Sequence, residues 1–180
     1  MKILTLLRHA KSGWDDPVTR DFDRPLNPRG RKAARTVGAE MKAQGLGFDL
    51  VLASPARRVI ETLEEVEAAY GALGPDYDQR LYLASAATLL EIVRSAPAEA
   101  ERLLLVGHNP GLEELALRLT GGEGDTLRRQ IEIKYPTATI AEIALPVDRW
   151  TDVRDGSGRI ARFIRPRDLD PELGPDEDSY

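Results

Sequence analysis

The chain contains only two histidines, His9 and His108, and each lies one residue beyond a short run of apolar residues. Arg8 precedes the first, and Arg57 and Arg58 follow a third apolar run that lies between them. Two imidazoles and two arginines brought together suit a phosphoryl group. The planar guanidinium pairs bidentately with phosphate oxygens and stays charged. Neighbouring cations depress an imidazole's pKa and so keep a lone pair available for attack on phosphorus, which would give a phosphohistidine intermediate. The competing chemistry is a two-histidine metal site with Asp15 or Asp16 as third ligand, which nearby arginines would oppose. A lone histidine at a strand end is ordinarily a satisfied polar residue, but two at corresponding ends are harder to dismiss. Arg57 and Arg58 point about 100° apart at a helix start, so one is expected in the pocket and the other in solvent.

The elements that must position these residues are legible as hydrophobic pattern. Residues 3–7, 50–53 and 103–106 are continuous apolar runs, as in parallel strands covered on both faces. Each is followed, directly or after a loop, by a capping residue and proline: Asn27-Pro28, Ser54-Pro55 and Asn109-Pro110, read as helix starts with proline at the first helical position. Ser54 is accordingly expected to cap a helix. The first helix should reach about Gln44 and stop at Gly45, carrying Ala33, Ala34, Val37 and Met41. The second carries Val59, Leu63, Val66 and Tyr70 and ends at Gly71, and the third carries Leu112, Leu115, Ala116 and Leu119. A further helix is expected over residues 87–95. Residues 139–145, 149–153 and 159–164 suggest antiparallel strands at the sheet margin. The expectation is a three-layer α/β/α fold with a mostly parallel central sheet and antiparallel edge strands. In such a sheet ligands bind beyond the carboxyl ends of the strands, where both histidines fall.

Composition bounds the alternatives. The 180 residues hold 25 Lys+Arg against 30 Asp+Glu, a net charge of −5, with 42% hydrophobic residues and no cysteine. One core is expected, forming a domain over residues 1–165, followed by an acidic, mobile tail over 166–180. Disulfides, thiolate metal sites and cysteine nucleophiles are excluded. No apolar run approaches membrane-span length, and Arg8 cuts the first run short of a secretory signal, so the expectation is a cytoplasmic protein with neither membrane nor nucleic acid as partner.

Arg8-His9-Ala10, then Ser54-Pro55-Ala56-Arg57-Arg58 with Thr62, then Gly107-His108-Asn109-Pro110 resemble the histidine phosphatase superfamily, the phosphoglycerate-mutase-like fold. The run His9-Ala10-Lys11-Ser12-Gly13-Trp14, with Arg24-Pro25-Leu26 leading into Arg29-Gly30, is similar to its SixA-type phosphohistidine phosphatase branch. The resemblance implies His9 as nucleophile and Arg8, Arg58 and His108 as its catalytic partners, with Arg58 rather than Arg57 in the pocket. It implies Arg24 at the pocket mouth, and Ser12 and Asn109 as further substrate-binding candidates. It also implies a phosphorylated protein or small molecule as substrate, with no metal and no organic cofactor. The stretch 80–85 lacks the glutamate acid of many relatives, leaving Asp15, Asp16 or a protonated His108 as proton donors. Expelling an imidazole from a P–N bond needs less acid help than expelling an alkoxide, so labile phosphoryl compounds are the expected substrates. A phosphomonoesterase acting on a small metabolite and a non-catalytic phosphate-binding module are the alternatives.

Overall fold

A computed structural model describes residues 1–13, 19–122 and 124–174. The three apolar runs form β1 (Lys2–Arg8), β2 (Leu50–Ala53) and β4 (Arg102–Gly107). A two-residue strand, β3 (Asp76–Tyr77), joins one edge. The other edge takes β5 (Ile140–Leu145) and β6 (Arg159–Ile164). The sheet order is β3-β2-β4-β1-β5-β6. Strands β3, β2, β4 and β1 run parallel, while β5 pairs antiparallel with β1 and β6 antiparallel with β5.

Helices cover both faces, because successive side chains of a strand point to opposite sides. On one face Leu4, Leu6, Leu103 and Leu105 pack with α3 (Ala86–Arg94), α4 (Gly111–Leu119) and α5 (Thr126–Ile133). On the other, Leu7, Leu104 and Val106 pack with α1 (Pro28–Ala43) and α2 (Arg57–Tyr70). Each fully buried Leu or Val contributes about 1.5–3 kcal/mol, so the continuous apolar runs are the sequence image of a sheet buried on both faces. Among the described residues no helix is long and apolar enough to cross a membrane.

The start of α1 follows expectation: the Asn27 side chain accepts from Gly30 N at 2.8 Å, and Pro28 is the first helical residue. Gly45, at φ 67°, stops the helix after Gln44. The other two starts do not. Helix α2 begins at Arg57 with Ala56 as its N-cap, and α4 begins at Gly111 with Pro110 as its N-cap, so neither Pro55 nor Pro110 is the first helical residue. The marginal strand expected over 149–153 is a 3-10 turn (Trp150–Asp152), since buried Trp150 turns its indole inward to donate to Ala100 O at 2.7 Å.

The segment expected to be mobile from residue 166 onward carries structure through Gly174. Helix α6 (Pro166–Leu169) and a 3-10 turn (Pro171–Leu173) lie along α1. Leu173 is buried in the α1/α2 core, Lys32 pairs with Asp170 and Glu172, and Arg29 donates to Gly174 O at 2.7 Å. Two apolar residues, Leu169 and Leu173, are enough to anchor a segment too short to show periodicity.

Candidate active site

The carboxyl ends of β1, β2 and β4 lie side by side, and the chain continues from them into His9, Ser54 and His108. The backbone fixes this corner on both sides. His9 N donates to Gly107 O at 3.1 Å, and Ala138 N donates to the carbonyls of Arg8 (3.1 Å) and His9 (3.0 Å). Ala10 N donates to Thr62 Oγ1 at 2.9 Å, tying the loop after His9 to α2. From the other side Gly30 presses against Lys11, where an added Cβ would sit 2.1 Å from the carbonyl oxygen. Gly111 likewise abuts Ala84 O at 2.1 Å for such a Cβ, which lets α4 start directly behind His108.

Within this frame the structure brings Arg8, His9, Arg58 and His108 together, all buried. His9 Nδ1 lies 2.7 Å from Ala10 O. A carbonyl only accepts, so Nδ1 carries the proton and the lone pair sits on Nε2. Arg58 Nε approaches that Nε2 at 3.4 Å. Arg58 Nη2 lies 3.2 Å from His108 Nδ1, which must therefore accept, and His108 Nε2 donates to Ser54 Oγ at 2.8 Å. The two imidazole centroids are 5.2 Å apart. Burial, then the Arg8 charge, holds His9 well below the ordinary histidine value. Burial, then the Arg58 charge, lowers His108 to about 3. Both rings are neutral at physiological pH, and the protonated His108 considered as a proton donor is disfavoured by the groups around it.

The helix start separates the two arginines of α2. The Arg58 side chain is 3% exposed and reaches both histidines, whereas Arg57 is 55% exposed and pairs with Glu61. Ser54 is not the cap expected of it: its hydroxyl accepts from Ala56 N at 3.3 Å and turns to His108, because α2 begins two residues later. Arg8 Nη1 donates to Tyr135 O at 2.9 Å, and burial lowers its pKa to about 10, which leaves it charged. Arg8 Nε is buried without a hydrogen-bond partner among the described residues.

The remaining expected residues lie around this centre in different capacities. Arg24 is buried and donates to Ser12 Oγ (3.3 Å), Gly13 O (3.4 Å) and Asp21 Oδ1 (3.1 Å). Ser12 Oγ in turn donates to Pro25 O at 2.7 Å, so Ser12 positions Arg24 and its loop. Asn109 spans two backbones, donating from Nδ2 to Tyr135 O at 3.0 Å and accepting from Glu113 N at 3.2 Å. Asp15 and Asp16 lie outside the described residues.

Two residues that the sequence did not single out complete the centre. Asp21 accepts from Arg58 Nη2 at 3.0 Å and from Tyr82 Oη at 2.5 Å, besides Arg24, and its carbonyl accepts from Arg58 Nη1 at 2.7 Å. Burial pushes its carboxyl up, but the Tyr82 hydroxyl and the Arg58 charge outweigh it and hold Asp21 at about 2. Tyr82 also packs edge-on against His108, with centroids 5.4 Å apart. Glu113 lies within electrostatic reach of Arg8, and burial pushes its carboxyl up against that attraction. The spacing of Asp21 three residues before Arg24 is the one local signal that could have pointed to it. Among the described residues no group of three or more His, Asp or Glu could hold a metal ion.

A profile of the histidine phosphatase superfamily (branch 1) matches residues 4–82. An uncharacterized protein of Mycobacterium tuberculosis is 35% identical over 164 residues, covering 89% of this chain and 100% of that protein. Among solved structures, SixA from Agrobacterium tumefaciens is 29% identical with a TM-score of 0.78, covering 92% of this chain and 98% of that one. The chain belongs to the histidine phosphatase superfamily. The protein histidine phosphatase SixA complexed with tungstate shares the fold at TM-score 0.75 and 22% identity, over 93% of this chain and 99% of that one. The architecture is thus the phosphoglycerate-mutase-like one, and family membership together with the SixA likeness supports phosphatase activity for this chain.

Proposed function

We propose that the protein is a metal-independent phosphatase that takes the phosphoryl group of a phosphohistidine, or of a comparably labile phosphoryl compound, onto His9 and passes it to water. The observation that carries this reading is the single unprotonated Nε2 of His9, fixed by the Nδ1 bond to Ala10 O and facing the Arg58 guanidinium. In the first step Nε2 attacks phosphorus as the bond to the leaving nitrogen breaks. In the second, a water oxygen attacks phosphorus, the P–Nε2 bond breaks, and the water's proton leaves to solvent or a nearby base. Arg8 and Arg58 supply positive charge, with the unpartnered Arg8 Nε as one donor for an equatorial oxygen. Neutral His108 stays fixed between Arg58 and Ser54 and keeps the guanidinium in place.

The choice of a labile substrate rests on acid chemistry. Asp21, the carboxyl held by the pocket arginines, is ionised at neutral pH and has no proton to lend to an alkoxide. A leaving imidazole picks up a proton from solvent far more readily. The SixA likeness points the same way, since the Agrobacterium tumefaciens protein is named for phosphohistidine phosphatase activity.

The test is phosphate release from a phosphohistidine peptide, an aryl phosphate and an unactivated sugar phosphate, by wild type and His9→Ala, with a chelator present. Release that survives chelation, disappears in His9→Ala and favours the phosphohistidine peptide over the sugar phosphate is expected. Dependence on added metal, or equal turnover of all three, would overturn the reading. Phosphate binding with no turnover of any of them would instead make the chain a phosphate-binding module.

A further inference from the structure

Glu61 is a carboxylate where burial alone would favour an apolar side chain. Its side chain is 11% exposed, on the face of α2 that also carries Arg58 one turn earlier and Thr62 beside it. Acidic side chains are seldom buried without partners, and Glu61 has three. Oε2 accepts from Arg57 Nε at 3.1 Å, and Oε1 accepts from Arg31 Nη2 at 3.1 Å. Both arginines are themselves half-exposed, at 55% and 41%. The third partner is buried: Oε1 also accepts from the backbone amide of Leu26 at 2.9 Å.

That amide belongs to the wall of the histidine pocket. Leu26 forms an antiparallel bridge with Ser12, and the hydrogen bond beside them runs from Asn27 N to Lys11 O at 3.1 Å. In such a non-hydrogen-bonded pair the amides of the two facing residues point away from each other. Leu26 N therefore meets no acceptor in the loop after His9 and is taken by Glu61. Two residues before it, Arg24 donates to Ser12 Oγ, Gly13 O and the Asp21 carboxylate, which in turn accepts from Arg58. Thr62, the next residue of α2, accepts from Ala10 N at 2.9 Å. Consecutive residues of one helix thus hold the loop after His9 and the Arg24 segment in register with Arg58.

We propose that Glu61 is a positioning residue for the phosphoryl pocket: by accepting the Leu26 amide it sets Arg24 against Arg58, and its reach as an acceptor, not its charge, does this. The two arginine pairs are open to solvent at one end and each adds little, whereas a buried amide left without an acceptor drives its segment to shift until it finds one. Arg24 then leaves the pocket mouth while His9 stays tied to Gly107 and Ala138, so substrate capture suffers before phosphoryl transfer. The proposal rests on the reading of His9 as phosphoryl acceptor with Arg24 as a substrate contact.

The experiment compares E61Q, which keeps the acceptor and loses the charge, with E61D, which keeps the charge and withdraws the acceptor by shortening the side chain. Turnover of an aryl phosphate and of a phosphohistidine peptide is measured, together with amide exchange at Leu26 by NMR. E61D should raise KM about 10-fold for both substrates with kcat changed less than about 3-fold, as misplacement of a binding group by a fraction of an ångström gives, and should speed exchange at Leu26. E61Q should restore both readouts to within about 2-fold of wild type, since the charge it removes is paired only at exposed arginines. A loss in E61Q as large as in E61D would assign the effect to the ion pairs and overturn the proposal. Lower urea stability in E61D with KM unchanged would make Glu61 a brace for the fold and overturn it as well. A Leu26 amide that exchanges freely in wild type overturns it even where neither variant folds. Aryl phosphate turnover that survives His9→Ala would fail the nucleophile assignment, a result separable from all of these.

Discussion

Asp21→Asn is the most informative single change, because the Asp21 carboxylate is an anion held by Arg58, the arginine of the proposed phosphoryl site. It takes hydrogen bonds from Arg58, Arg24 and Tyr82, and its pKa lies at about 2 instead of 3.8. At 1.36 kcal/mol per pH unit, the surroundings favour its ionised form by about 2.5 kcal/mol. The side chain is 34% exposed, so screening by solvent reduces this to about 1 kcal/mol. Phosphate oxygens competing for the same guanidinium donors must overcome that attraction. The amide introduced by the substitution keeps the shape and removes the charge, so inorganic phosphate should bind about 5-fold tighter to the variant by calorimetric titration near neutral pH, at fixed ionic strength. The same anion stabilises the fold. Because its folded pKa is depressed, its contribution is present above the unfolded value of 3.8 and is lost as pH falls through about 2. The variant should therefore unfold in urea about 1 kcal/mol more easily near pH 7, and the gap should close in strong acid. Phosphate binding that is unchanged or weaker in the variant would refute the competition and leave Asp21 as a brace for the arginines.

The two neutral histidines make a pH prediction of their own. Their folded pKa values lie below the unfolded 6.5, that of His108 at about 3, so the unfolded chain binds more protons in between. Stability should fall as pH drops below about 6.5, by up to about 1.4 kcal/mol per pH unit per histidine, and a flat urea-unfolding profile would contradict this. Phosphorylation of His9 should likewise show no acid limb near pH 6.5 in single-turnover kinetics, since Nε2 stays unprotonated there. Arg58→Ala should abolish measurable phosphate binding, whereas Arg57→Ala, which loses only an exposed pair with Glu61, should change it less than about 2-fold. Gly30→Ala should cost about 1–3 kcal/mol in urea unfolding and lower kcat as well, because the new methyl must displace Lys11 and with it the loop after His9.

How far the sequence discloses this site depends on the range of the interactions involved. Strands β1, β2 and β4 announce themselves because burial on both faces writes an apolar run, interrupted in β1 only by Thr5. Their polar ends, Arg8-His9 and Gly107-His108, then fall at the sheet's carboxyl edge by topology alone. Arg58 is separable from Arg57 only through the resemblance, since helical geometry shows that the two diverge and not which one turns inward. Asp21 and Tyr82 escape for another reason. Asp21 sits in a three-residue turn without periodicity, and Tyr82, 61 residues away, meets it only in the folded chain. Ser54 reads as a cap because a helix cap is a local interaction, whereas the hydroxyl's stronger partner is His108, 54 residues distant. Helix α5 is not visible in the sequence although Asp125 caps it, because its interior offers one buried residue, Ile131, too few to show a period. The segment after Arg165 looks unstructured for the same reason, its anchors being two leucines and a pair of lysine contacts.

The backbone bonds around His9 have a consequence for how the enzyme can fail. Its amide is tied to Gly107 and its carbonyl to Ala138, so the proposed nucleophile is stitched into the central strand with a neighbour on each side. Local opening that would displace it must break β1 from β4 or from the segment leading into β5, and those contacts separate only when the sheet itself comes apart. Amide protons at His9 and Ala138 should therefore be among the last to exchange. On heating, the capacity to form the phosphoenzyme should persist until the whole domain melts, with no earlier inactive but folded state.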